Sequence, residues 1–194
     1  MLIDTHCHLD FPDFADERDD LIARAHAVGV QQMVTISTRV RKLENLLALT
    51  ARYPSVFCSV GTHPNNAAEE LDITADELVR LAESHEKIVA IGEAGLDYFY
   101  DTQKPEDQQT GFRRHIEAAR RTQLPLVIHS RSADEDMAAI LTEETGKGAF
   151  PFILHCFSAG QALAETGVAL GGYVSFSGIL TFPKSGELRD IAKT

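Results

Sequence analysis

Ile88-Val89-Ala90-Ile91-Gly92-Glu93 is a short apolar, β-branched run that stops at a carboxylate, and Ala94-Gly95-Leu96-Asp97-Tyr98 follows it. Such a run reads as a buried strand with Glu93 at its end and with Asp97 and Tyr98 in the loop beyond. Six other stretches have the same character: Leu2–His8, Gln32–Ser37, Val56–Gly61, Leu126–His129, Phe152–His155 and Tyr173–Phe176. Helical periodicity fills the intervals. Asp16–Val28 places Leu21, Ile22, Ala25 and Val28 on one face, and Glu106–Thr122 does so with Phe112, Ile116 and Ala119. Similar patterns cover Lys42–Arg52, Ala75–Glu86, Asp134–Glu144 and Ala159–Leu170, and Lys184–Thr194 starts a further helix.

Strands alternating with helices predict an α/β protein built on a parallel sheet, and the count points to a TIM-like (β/α)8 barrel. Closure of such a barrel takes eight strands and typically about 250 residues, whereas this chain has 194 residues and seven strand candidates. The expectation is a single barrel domain over 1–194, truncated after the seventh strand and open between the first and the last. No linker, short repeat or low-complexity tract divides it.

Composition narrows the class. A chain that is 44% hydrophobic and 24% charged is neither disordered, collagenous nor disulfide-dense. Its net charge of −11 provides no global positive field for nucleic acid or anionic membrane, so a phosphate-bearing partner must be held by local cations. Cys7, Cys58 and Cys156 are widely spaced and form no CxxC, which reads as a reducing compartment. The first residues show no basic segment followed by an apolar one, and no apolar run approaches the length of a membrane span. A cytoplasmic location without a membrane partner is expected.

The chemistry concentrates at strand ends, where active sites of such barrels form. His6 and His8 lie two apart in the first strand and share a face, while Cys7 points to the helix layer and reads as packing. Paired imidazoles on a barrel interior suit a metal better than core filling. His129 and His155 end the fifth and sixth strands. A carboxylate can bridge two cations that imidazoles cap, so Glu93 with these four histidines makes a two-metal constellation; a Glu paired with a neighbouring Arg is the plainer alternative. His63, in Gly61-Thr62-His63-Pro64, stands at the rim either as a substrate contact or as a loop cap. Arg131 offers a fork of donors for a phosphate, and Asp97 and Tyr98 either orient a ligand or cap a turn. His26, His85 and His115 sit in helical patterns and read as surface histidines. Arg113-Arg114 and Arg120-Arg121 read as a solvated helix face.

Taken in order, His6-x-His8, Gly61-Thr62-His63-Pro64, Gly92-Glu93-Ala94-Gly95-Leu96-Asp97-Tyr98, Ile128-His129-Ser130-Arg131 and His155-Cys156-Phe157-Ser158 resemble the TatD-type metal-dependent deoxyribonucleases, which are amidohydrolase-like metallohydrolases. The resemblance covers essentially the whole chain and rests on five motifs at βα-unit spacing. It implies a distorted barrel that hydrolyses phosphodiester bonds, removing nucleotides from single-stranded 3′ ends of DNA, with two divalent cations, Mg²⁺ or Zn²⁺/Mn²⁺. Carried over residue by residue, it implies His6, His8 and Glu93 on one metal and Glu93, His129 and His155 on the other. Glu93, His63 and Arg131 are then the residues of the reaction. The family also carries an aspartate at the end of strand eight that handles the proton of the attacking water. This sequence ends before that position, so the resemblance implies a damaged site and little activity for the chain alone. A metal-dependent esterase such as a D-aminoacyl-tRNA deacylase, and an inactive metal-binding chain, are the alternative readings on the same scaffold.

Overall fold

A computed structural model describes residues 1–100 and 102–194. Its seven strands are β1 (Leu2–Cys7), β2 (Val30–Thr35), β3 (Val56–Val60), β4 (Ile88–Asp97), β5 (Leu126–Arg131), β6 (Phe152–Leu154) and β7 (Tyr173–Val174). They pair only with their sequence neighbours, all in parallel, in the order β1 to β7, and curl into a half-barrel. The helices are α1 (Arg18–Ala27), α2 (Leu43–Arg52), α3 (Ala75–Ala82), α4 (Pro105–Thr122), α5 (Asp134–Lys147), α6 (Gln161–Ala169) and α7 (Gly186–Ile191). Every expected strand and helix is present. No helix among the described residues is long and apolar enough to cross a membrane.

The principal core lies between the middle of the sheet and the helices, where Ile91, Leu96, Leu126, Ile128 and Leu154 meet Leu78, Phe112, Ile116, Met137 and Leu141. Local sequence sets the helix ends. Thr74 accepts from the Glu77 amide at 3.2 Å and starts α3, and Pro105, which needs no amide partner, opens α4. A smaller core under β1 and β2 gathers Leu9, Ile22, Met33, Leu49 and Val56, and Cys7 packs against it on the side away from the histidines. The two edges of the sheet differ from its middle. Leu2 and Ile3 of β1 and Tyr173 of β7 are exposed.

The strand ends depart from the sequence reading in ways that matter for the site. β4 continues past Glu93 to Asp97, so Glu93 sits inside a strand and Asp97 ends it. β5 likewise runs past His129 to Arg131. His8 and His155 fall one residue beyond β1 and β6, and β7 is only two residues long. The extension of β4 is made of pairing with β5, which resumes from Ala94 to Asp97 after a register shift between Gly92 and Ala94. Glycine permits that approach. A Cβ on Gly95, whose φ is +147°, would lie 2.0 Å from the His129 carbonyl oxygen, and one on Gly61 would lie 2.4 Å from Cα of Gly92.

Two helical features correct the sequence reading. His115 is not a surface residue but is 3% exposed, because its face of α4 packs under the loop after β3. Its Nδ1–H donates to the Gly111 carbonyl at 2.8 Å, and its Nε2 accepts from the Thr62 amide at 3.0 Å. Thr62 in turn donates its hydroxyl to the buried Glu70, which also accepts from the Val40 and Arg41 amides at 2.9 Å. The arginines of α4 are not simply solvated either. Arg113 and Arg120 converge on the buried Glu144 at 2.5 and 3.0 Å, and Arg114 donates to the Leu71 and Ile73 carbonyls.

Two stability outcomes follow from this packing. Gly95→Ala, which forces a side chain into backbone, should lower unfolding stability by about 2 kcal/mol or more in urea titrations, and wild-type stability in that variant would overturn the close-approach argument. Burial pushes the His115 imidazole down to about 4. The unfolded chain therefore takes a proton near pH 6.5 that the native state refuses, and stability falls as pH drops from 6.5 toward 4 by about 1.4 kcal/mol per pH unit from this group. Unfolding free energies at pH 7.5 and 5.5 should differ less in His115→Gln than in the parent by about that amount.

Candidate metal centre

Parallel pairing and the glycine approaches bring the C-terminal ends of β1, β3, β4, β5 and β6 around one carboxylate. Glu93 is 2% exposed and has no cationic side chain of Arg or Lys as a partner among the described residues; its neighbours are imidazoles. Its Oε1 lies 3.0 Å from His129 Nδ1, 2.9 Å from His155 Nε2 and 3.8 Å from His63 Nε2. Its Oε2 lies 3.5 Å from His6 Nε2 and 4.0 Å from His8 Nε2. The two oxygens thus face different sets of nitrogens. The His6 and His155 rings stack in parallel with centroids 3.8 Å apart, which binds the two sides together.

The outer ring nitrogens tell which inner ones are available. His8 Nδ1 is 3.3 Å from the Ile36 carbonyl, which can only accept, so the proton sits on Nδ1 and Nε2 is bare toward Glu93. His129 Nε2 is held by Asp97 Oδ2 at 3.1 Å, leaving Nδ1 toward Glu93. His63 is arranged in the opposite sense. Its Nδ1 accepts from the Asn65 amide at 3.1 Å, so the neutral ring carries its proton on Nε2, the atom nearest Glu93. That makes His63 a donor into the cavity rather than a bare nitrogen, and the same residue caps the turn Pro64–Glu70.

Electrostatics agree with this division. Burial would raise the Glu93 carboxyl, but the surrounding imidazoles of His129, His155 and His6 outweigh it and hold it well below the usual range. Burial would lower His129, yet the bond and charge of Glu93, with Asp97, carry it above its ordinary value. Burial dominates at His8 and His155, which are lowered, and pushes His63 down to about 4. A carboxylate that keeps its charge in a buried site, among imidazoles of which His8, His63 and His155 are lowered, is a donor set for a divalent cation. His6 fits this further, since both its ring nitrogens are buried without a hydrogen-bond partner. Two groups of side chains bring nitrogen and oxygen atoms close enough to surround an ion, His6–His8–Glu93 and His63–Glu93–His129, although in the second His63 presents its N–H.

The site opens into a cavity of 1060 Å³ whose walls include Arg39, Lys42 and Arg131. Of the residues singled out from the sequence, His8, His63, Glu93, His129, Arg131 and His155 line it, and His6 lies beneath against Glu93. Asp97 and Tyr98 do different work: Asp97 orients His129, whereas the Tyr98 hydroxyl donates to Asp136 at 2.8 Å on the helix side. Sequence reasoning missed Thr62 and Glu70, which hold the loop that carries His63; a buried acid eight residues from a threonine has no local signature.

The sequence model for "TatD related DNase" matches residues 3–194. Over all of its length the chain is 38% identical to 72% of an Escherichia coli protein named an uncharacterized metal-dependent hydrolase, YcfH. Over 98% of its length it is 32% identical to 73% of a Salmonella typhimurium protein named a 3′-5′ ssDNA/RNA exonuclease, TatD. Among solved structures, the TatD homologue YjjV of Escherichia coli superposes with a TM-score of 0.88 at 31% identity, over 98% of this chain and 73% of that one. An organophosphorus hydrolase from Deinococcus radiodurans shares the fold, with a TM-score of 0.66 at 16% identity.

A ring clamped between two carboxylates carries a proton on each nitrogen, and a cation taken up at His129 Nδ1 must displace one. Binding of Mn²⁺ or Zn²⁺, followed by calorimetry, should therefore release protons and weaken as pH falls through neutrality, by up to about tenfold per pH unit for each proton displaced. Asp97→Asn removes one support of the raised His129 and should move that decline to lower pH. Glu93→Gln should abolish binding, while His63→Gln should leave it within about twofold, since Nε2–H is not a ligand.

Proposed function

The chain belongs to the family of TatD-related DNases, a family of metal-dependent hydrolases, and from that premise we propose that it cleaves phosphodiester bonds of DNA, releasing nucleotides from single-stranded 3′ ends. The observation that carries this reading is the division of Glu93, whose two oxygens face separate sets of imidazole nitrogens on the floor of a cavity with cationic walls. His6, His8 and Glu93 would hold one divalent cation, and Glu93, His129 and His155 a second. Cations of the Mg²⁺, Mn²⁺ or Zn²⁺ class, when bound there, would supply Lewis acidity toward a phosphate and toward water. The chain's own residues bind and orient. The Arg131 guanidinium meets two phosphate oxygens at once, and neutral His63 donates from Nε2–H to a third. Asp97 keeps the His129 ring turned toward Glu93. The name of the Salmonella relative supports nucleic acid as substrate class. With a net charge of −11, the chain holds DNA only where these local cations gather, so binding depends on metal.

The test is release of labelled mononucleotide from the 3′ end of a single-stranded oligodeoxynucleotide with Mn²⁺, Mg²⁺ or Zn²⁺ added in turn. Release should require metal and stop with chelator. Glu93→Gln should lose at least about a hundredfold, and Arg131→Gln about tenfold or more in kcat/KM, as for loss of a charged hydrogen bond. Deacylation of D-aminoacyl-tRNA without nucleotide release from DNA would replace this reading with the esterase one.

A further inference from the structure

β4 ends in a tip with two aromatic rings that the reaction as described does not use. Phe99 is 57% exposed and Tyr100 46% exposed, and their rings meet edge to face with centroids 5.0 Å apart. Single exposed apolar side chains are ordinary, but two adjoining rings at the mouth of a cavity make a contiguous patch of the kind that marks a binding surface. The Arg131 guanidinium lies 3.8 Å from the Phe99 ring centre and 4.9 Å from that of Tyr100. Arg131 is also a wall of the cavity above Glu93 and stands two residues from His129, on the same face of β5. The cluster therefore starts at the phosphate-binding wall and continues outward onto exposed aromatic surface.

The tip is pinned. Asp97 Oδ1 accepts from the Phe99 and Tyr100 amides at 3.0 and 3.3 Å, while its other oxygen holds His129. The Tyr98 amide donates to the Arg131 carbonyl at 2.9 Å. One carboxylate thus ties both rings to an imidazole of the centre, so their position relative to the reacting phosphate is set in advance.

We infer that Phe99, Tyr100 and Arg131 form a platform on which an unpaired base stacks while its chain's phosphate reaches the centre. The inference rests on the nuclease reading and deepens it, because stacking on a ring face needs a base free of its duplex partner and is indifferent to which base it is. The substrate class it selects is single-stranded nucleic acid near its end, without sequence preference. A duplex end, with its bases paired and stacked on each other, would meet only the guanidinium.

The experiment compares two oligodeoxynucleotides with the full chain and Mn²⁺: one with all its bases and one with abasic residues at its 3′-terminal positions. With the parent chain, loss of the bases should raise KM for first release by about tenfold, the value of one stacking contact, with kcat little changed. Phe99→Ala should raise KM for the intact oligonucleotide by a similar factor and bring the ratio between the two substrates close to one. Phe99→Trp should restore the ratio, which a general loss of folding would not do. Equal KM values for the two substrates in the parent, or an unchanged ratio in Phe99→Ala, would overturn the platform and leave the nuclease reading in place. Hydrolysis of bis(p-nitrophenyl) phosphate by the parent with no release from either oligonucleotide would instead overturn the nuclease reading, and the platform with it.

Discussion

A carboxylate buried to 2% exposure must be compensated, and in this chain nearly every feature around the C-terminal end of the sheet serves that one requirement. Glu93 obtains no arginine. It draws imidazoles from three different strand ends, those of β1, β5 and β6, and from the turn after β3, so its compensation is spread over much of the fold. Neutral rings stabilise a negative charge less well than a guanidinium does. The arrangement is therefore poised to accept positive charge, and a raised His129 between Glu93 and Asp97 supplies part of it as a proton.

The supporting contacts show why the inner shell is ordered. His8 and His129 are each fixed by an acceptor on the far nitrogen, one a backbone carbonyl and the other Asp97, which sets ring orientation and the bare nitrogen together. His63 is fixed by a backbone donor instead, and the reversal changes its chemistry from acceptor to donor. Farther out, Glu70, Thr62 and His115 join the Val40–Arg41 amides to α4 in one buried network. That network anchors both walls of the cavity, since Arg39 and Lys42 flank the amides and His63 follows Thr62. Polar groups buried this deeply hold a loop in place only when all of them are satisfied.

How much of this was legible depended on range. The alternation of apolar runs with helical periods identified all seven strands and the parallel α/β class, because both are properties of local composition. His6 and His8 could be placed on one face by the two-residue period of a strand, and Glu93, His129 and His155 by their position at the close of apolar runs. The strand ends are not legible locally, because β4 and β5 extend each other by pairing beyond Glu93 and His129, a cooperative effect absent from either segment alone. His115 was misjudged because helical period shows that a residue lies on a helix, not that a neighbouring loop covers it. Arg113 and Arg120 were misjudged in the same way, since the Glu144 they flank comes from another helix.

The sequence by itself determined the repeating βα plan, the residue types available for metal chemistry and the absence of any global field to attract nucleic acid. These are one-dimensional properties: period, composition and net charge. Only the tertiary structure decided which oxygen of Glu93 faces which imidazole, which nitrogen of each ring is bare, and that Arg131 meets Phe99 and Tyr100 across the β4–β5 pair. Hydrogen bonds and stacking depend on a few tenths of an ångström between groups far apart in the chain, and that information exists only once the strands have paired.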